Sequence, residues 1–203
     1  MLSRSLPSPA RGKLLDAAVT LIRRNGFAAT SIDQLCTAAG VTKGAFFHHF
    51  ASKEALGVAA AEHWLAMTSP LFAEADYHAL PDALARVLGY LDLREALIAG
   101  DIDAFTCLAG TLAQEVHQSS PAIAHAADRA IVGHATTLEA DVGRALADHG
   151  VVDIDAAELA LHFQAVLQGG FVLAKAAGDP EPARAGVRHL KRYVTLLCKG
   201  ERA

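Results

Sequence analysis

The stretch TSIDQLCTAAGVTKGAFFHHFASKEAL, Thr30–Leu56, decides the fold. Ile32, Leu35 and Ala39 recur at helical spacing, Gly40 follows as a stop, and Thr42 opens a second short run ending near Phe50. Two short helices that cross steeply need apolar inner faces, a small residue at the crossing and a glycine in the turn. Cys36 is that small residue, Gly40 the turn, and Val41, Phe46 and Phe50 complete a small core with Phe27 beneath it. The pattern predicts a helix-turn-helix.

Working outward, Leu14, Ala18, Leu21 and Ile22 place an apolar stripe on a first helix from about Ser8 to Asn25, stopped at Asn25-Gly26. Thr30 or Ser31 caps the second helix and Thr42 the third; Ser52 opens a long fourth one carrying Trp64 and Met67. Beyond Pro70 the reading gives helices at about 80–99, 104–118, 121–149, 155–177 and 182–199, with breaks at Gly100-Asp101, Ser119-Ser120-Pro121, His149-Gly150 and Gly178-Asp179-Pro180. The run 151–154 is too short to anchor a sheet. The expectation is an all-α chain of about nine helices, divided as a loose tail 1–7, a helix-turn-helix domain 8–56 and a helical domain 57–203.

Charge divides the chain the same way. Residues 1–55 hold seven Lys and Arg against three acids, whereas the remainder holds eleven against nineteen. A basic head on an acidic body suits a polyanion partner, because clustered cations release counterions from phosphate. Of the 203 residues 52% are hydrophobic and 20% charged, which excludes a disordered or collagen-like chain. The apolar stretches 55–61 and 166–174 are far short of a membrane span, and the first twelve residues lack a secretory h-region, so a cytoplasmic protein without membrane contact is expected. Three widely spaced cysteines, Cys36, Cys107 and Cys198, argue against a disulfide framework. No metal is expected: the ten histidines form no HxxxH pair and read as ordinary surface residues. No cofactor motif is present.

With the inner residues buried, the third helix presents Thr42, Lys43, Gly44, Ala45, Phe47 and His48. A hydroxyl and an ammonium at the N-terminus, then small residues, then an aromatic and an imidazole suit a double-stranded DNA major groove and its flanking phosphates. Lys53 is placed to clamp a flanking phosphate, and Thr30 to assist at the start of the second helix.

From Lys13 to Leu56 the sequence closely resembles the DNA-binding domain of the TetR family of bacterial repressors. The usual pattern reads roughly T-[ST]-[IV]-x-x-[IL]-A-x-x-A-G-V-[ST]-x-G-x-[LF]-Y-x-[HY]-F-x-[SN]-K-E-x-L. This chain departs from it at Phe47, where tyrosine is usual, and at Cys36, where alanine is usual. The resemblance implies a repressor that binds a (pseudo)palindromic operator as a homodimer and is released by a small-molecule effector. It also implies an intersubunit four-helix bundle of the last two helices. The stripes Leu159, Phe163, Val166, Gly170, Leu173 and Val187, Leu190, Val194, Leu197 are the expected dimer seams, with Gly169-Gly170 allowing close approach.

Candidates for an effector cavity are apolar Trp64, Met67, Phe72, Phe105, Phe163 and Phe171 with polar Gln114, His117, Gln164 and Gln168, although core-filling side chains follow the same periodicity. The run Cys107-Leu-Ala-Gly-Thr-Leu-Ala-Gln-Glu-Val116 resembles one branch of the family in which some members sense electrophiles or oxidants through a cysteine. Cys107 is therefore either a sensor, in the first turn of its helix with Lys175 as a neighbouring cation, or an inert core thiol. An enzyme using Cys107 as nucleophile is the rival reading. His117 lies ten residues on, about 15 Å along a helix, and cannot serve as its base, while His162 lies on another helix without supporting motif. A non-enzymatic regulator is the expectation.

Overall fold

The capping and periodicity of the N-terminal half translate almost residue for residue into structure. A computed structural model describes residues 9–200. The first helix, α1, spans Pro9–Asn25, α2 Ile32–Ala39, α3 Lys43–His49 and α4 Lys53–Ala73. After a 3-10 turn at Asp76–Ala79 come α5 (Ala83–Ala96), α6 (Ile102–Phe105), α7 (Leu108–Val116), α8 (Pro121–Thr136), α9 (Glu139–Asp148), α10 (Ala156–Ala177) and α11 (Glu181–Lys199). No strand occurs among the described residues. The expected tail 1–7 lies outside them.

Two of the predicted helices are split. The run 104–118 breaks at Thr106, whose extended backbone (φ −72°, ψ 154°) separates α6 from α7. The run 121–149 breaks at Thr137-Leu138, where Thr137 N–H and Leu138 N–H turn back to His134 and Ala135 carbonyls. Neither break carries Gly or Pro. Conversely, Pro70 lies inside α4. Its missing N–H frees one carbonyl a turn earlier, yet the helix runs three residues further.

The described chain divides into two compact units. One takes the residues up to Ala66 together with Leu108–Ala130; the other takes Met67–Cys107 with the residues from Ile131 onward. The first, N-terminal unit includes the first turns of α4, all of α7 and most of α8. Leu14, Ala18, Ile22, Leu35, Phe46 and Leu56 form its core with Leu108, Leu112 and Ile123, all fully buried. Each such Leu or Ile contributes roughly 1.5–3 kcal/mol by leaving water. At Gly57 a Cβ would lie 2.7 Å from Ile123 Cδ1 and 2.8 Å from Phe27 Cε2, so a larger residue there requires those side chains to shift.

The second unit is centred on Tyr90, Leu91, Phe163, Ala160 and Leu167, with Val187, Leu190 and Val194 of α11 against them. Gly170 brings α10 onto α11; a Cβ there would stand 3.0 Å from Ala183 Cα. Most of the two predicted dimer stripes is therefore consumed within the chain: Leu159, Phe163, Gly170, Val187, Leu190 and Val194 are buried in their own core. Leu173 alone of those positions is strongly exposed, and the outward apolar set on α10 and α11 is Leu161, Val172, Leu173, Tyr193 and Leu196. Gly169 faces open space.

At 22 residues α10 is long and apolar enough to cross a membrane, contrary to the expectation of short apolar runs only. It is instead packed on α9 and α11, with Leu159, Phe163, Leu167, Phe171 and Ala174 buried, as a core helix of this length requires.

Candidate nucleic-acid interface

Local chemistry fixes the helix-turn-helix. Ser31, in extended conformation, accepts the Gln34 N–H at 3.2 Å while the Gln34 side chain accepts the Ser31 N–H at 2.7 Å, a reciprocal capping box. At the other end Gly40 adopts the left-handed region (φ 63°, ψ 38°), and Gly40 and Val41 N–H close on Thr37 and Cys36 carbonyls. Thr42 caps α3 by accepting the Ala45 N–H at 3.1 Å. Cys36 is buried at the crossing, where desolvation raises its thiol pKa and keeps it protonated.

Phe46 is fully buried and Phe50 nearly so, with rings 5.8 Å apart. Their insertion turns Thr42, Lys43, Gly44, Phe47 and His48 outward; Ala45 is half-buried. Phe47 is 53% exposed beside Lys43, Gly44 and His48 on the same outward face. The Lys43 ammonium pairs with Asp33 of α2 at 2.8 Å, both side chains being largely exposed, so the cation is available for exchange to another anion.

Two expected contacts are placed differently. Thr30 is completely buried, its hydroxyl donating to the Gly26 carbonyl at 2.7 Å; it shapes the α1–α2 loop and does not face outward. Lys53 is folded back, donating to the Ala28 carbonyl at 3.1 Å and standing 4.6 Å over the Phe27 ring. Partial desolvation lowers its pKa, opposed by the charge of Glu115. It secures the loop before α2.

The expected effector residues do not form one set: Phe72, Phe163 and Gln164 gather around Tyr90, and the others lie apart from them. Trp64 belongs to the N-terminal unit, where the Arg23 guanidinium lies 4.9 Å over its ring; this contact fixes α4 on α1. Met67 is 52% exposed. Gln114 and His117 are exposed on or just after α7, the former bonding the Gly110 carbonyl a turn back. In the second unit Phe163, Gln164 and Phe171 are buried, Gln168 is half-buried and Lys175 exposed. Phe105 contacts Phe171 with ring centroids 6.1 Å apart. Cys107 does not lie within a helix: it is the half-buried residue between Thr106 and the first residue of α7.

A polar centre inside the second unit went unread in the sequence. Gln164 Nε2 donates to the Tyr90 hydroxyl at 3.4 Å, and that hydroxyl lies 3.1 Å from His134 Nε2. Phe72 covers the imidazole at 4.5 Å, and the Arg94 guanidinium lies 5.0 Å over Phe72. Burial, and secondarily the Arg94 charge, lower the His134 pKa to about 4. His134 is half-buried and neutral at pH 7, so its Nε2 can accept a hydrogen bond from the Tyr90 hydroxyl. Only its i, i+4 relation to Ala130 and Leu138 hinted at an inward face. Separately, a surface groove of about 490 Å³ is lined by Leu71, Tyr77, Leu80, Gly89 and Leu93, and none of the expected effector residues borders it. Among the described residues no cluster of His, Cys, Asp and Glu is arranged to hold a metal ion.

Residues 14–60 match the family model of bacterial regulatory proteins of the TetR family, and residues 84–189 match that of the LmrA/YxaF-like transcriptional regulator C-terminal domain. The chain belongs to the TetR family of transcriptional regulators. It is similar to the uncharacterized HTH-type transcriptional regulator YerO of Bacillus subtilis, 39% identical over 56 residues, which is 28% of this chain and 19% of that relative. It is also similar to the HTH-type transcriptional repressor KstR2 of Rhodococcus jostii, 43% identical over 49 residues, or 24% of each chain. These matches thus span about a quarter or less of the curated relatives' length. Among solved structures, the reduced form of E. coli NemR superposes with a TM-score of 0.77 at 26% identity, covering 90% of this chain and 95% of that one. Members of this family are DNA-binding regulators and not enzymes, and DNA operators, dimers and small-molecule effectors are typical of them.

Proposed function

We propose that this TetR-family regulator is a cytoplasmic repressor whose homodimer holds a (pseudo)palindromic operator through α3. The observation that carries the reading is the outward face of α3: Thr42, Lys43, Gly44, Phe47 and His48 exposed over a buried Phe46 and Phe50. Lys43 exchanges Asp33 for a phosphate or base-edge acceptor, Gly44 admits close approach, and Phe47 contacts the sugar-phosphate backbone or a thymine methyl without the hydroxyl a tyrosine would add. Dimerisation uses the outward apolar residues of α10 and α11, chiefly Leu173 and Leu196, which are 58% and 63% exposed in the single chain. Two linked reading heads then meet half-sites at fixed spacing.

Release follows from an effector whose affinity differs between the DNA-competent and incompetent states. For the finer reading, that Cys107 is the trigger, the support is placement. Cys107 directly precedes α7, a position that attracts anions, and Phe105 two residues earlier touches Phe171, one turn before Lys175 on α10. An electrophile that forms a bond to the Cys107 sulfur replaces a small half-buried thiol by a bulky adduct at the start of α7.

The test is a gel-shift titration with the duplex upstream of the protein's own gene, repeated after treatment with N-ethylmaleimide. Retardation lost on treatment and retained by a treated Cys107→Ser variant supports both parts. Release that Cys107→Ser leaves intact removes the cysteine from the mechanism. No retardation by any duplex selected from a random pool overturns the repressor reading itself.

A further inference from the structure

We infer that Glu115 is a positioning residue for operator binding: its carboxylate holds the α1–α2 loop, and through it the seat of α7 sets the attitude of the reading helices. The inference rests on the DNA-binding reading above. Glu115 Oε1 accepts the Phe27 N–H at 3.0 Å and Oε2 accepts the Ala28 N–H at 2.8 Å. Two successive backbone donors converge on one carboxylate 87 and 88 residues away in the chain. Three carbonyls of the loop are committed too. The Gly26 carbonyl accepts from Thr30, the Ala28 carbonyl from Lys53, and the Phe27 carbonyl from Thr30 N–H. Gly26 has φ +89°, which favours glycine, and a Cβ at that position would displace the Glu115 carboxylate from the loop.

The geometry gives the loop two external anchors, Glu115 from α7 and Lys53 from α4, with Lys53 carrying the Phe27 ring beneath its ammonium. The segment between α7 and α8 contacts α4 as well, where the Ser120 hydroxyl donates to Glu54. The loop leads directly into the Ser31 cap of α2, so its attitude is inherited by α2 and by α3 across the Gly40 turn. Operator binding needs those helices in one attitude. Charge-assisted hydrogen bonds to successive amides fix it, because they are directional and both oxygens are occupied.

The discriminating property is sign. Glu115 is an exposed acid in a polyanion-binding unit. On Coulomb grounds alone, its removal strengthens DNA binding. Positioning demands the opposite.

The experiment compares full-length wild type with Glu115→Gln on a duplex selected by the wild type from a random-sequence pool. Glutamine offers one uncharged acceptor oxygen in place of two charged ones, and its NH2 group turns a donor toward one of the two loop amides. The expected result is an affinity about tenfold weaker, corresponding to about 1.4 kcal/mol. The logarithmic salt slope is unchanged because no phosphate contact is removed. Hydrogen exchange at Phe27 and Ala28 rises in the variant while Trp64 fluorescence reports an intact N-terminal unit. Equal or tighter binding by Glu115→Gln overturns the inference. Should the variant not fold, the wild type alone decides: Phe27 and Ala28 amides protected well below the exchange rate of an open loop support the clamp, and unprotected ones refute it. Failure of the wild type to select any duplex defeats the DNA-binding reading instead, and is told apart by those same amides remaining protected.

Discussion

The half-buried His134 makes the stability of the second unit depend on pH in a calculable way. His134 has a pKa of about 4 in the fold, depressed first by burial and then by Arg94, against about 6.5 in an unfolded chain. Between those values the unfolded state binds the proton and the native state does not, so stability rises with pH across the window. It is fully present above about 6.5 and is lost as pH falls toward 4. At 1.36 kcal/mol per unit the full span of about 2.5 units corresponds to roughly 3 kcal/mol. The perturbation is His134→Gln, which keeps a hydrogen-bonding partner for the Tyr90 hydroxyl without titrating. The chain's single tryptophan, Trp64, lies in the N-terminal unit, whereas Tyr77, Tyr90 and Tyr193 all lie in the second, so tyrosine absorbance reports the unit in question. Urea unfolding followed by that signal at pH 7.5 and pH 5 should show wild type losing about 2 kcal/mol more than the variant. An equal loss in both proteins would refute the burial of a neutral imidazole at this position.

Gly57→Ala should destabilise the N-terminal unit by about 1–3 kcal/mol, read from Trp64 fluorescence in urea, because its Cβ meets Ile123 and Phe27 below 3 Å; a neutral result would mean that α4 does not approach so closely. Leu173→Asp combined with Leu196→Asp should convert a dimer to a monomer in sedimentation equilibrium while circular dichroism shows the helices retained, since both side chains are exposed in the single chain. A persistent dimer would place the interface elsewhere.

The helix-turn-helix was legible because its determinants are local. Ser31, Gly40 and Thr42 act on backbone groups within four residues, and the Phe46 and Phe50 spacing allows one inner face. Thr30 was misplaced because neighbouring hydroxyls offer the same cap chemistry in a sequence; only the fold assigns Ser31 to α2 and turns Thr30 onto Gly26. The breaks at Thr106 and at Thr137-Leu138 carry no glycine or proline, so periodicity ran through them. What the sequence does not show of Trp64, Lys53 and His134 has one reason. Arg23 under the indole, Ala28 beneath the ammonium and Tyr90 beside the imidazole are partners distant in sequence, and nothing in local spacing encodes them. The α10 and α11 stripes illustrate the same limit: a helix with two apolar faces does not declare which one meets its own core.

The most direct test of the account is the salt dependence of operator affinity for wild type and Lys43→Ala. The predicted result is a steep fall of log affinity with log salt for the wild type, with Lys43→Ala binding more weakly and its slope smaller by about one for each reading head. Identical slopes and affinities in the two proteins would contradict the assignment of α3 as the DNA-reading helix.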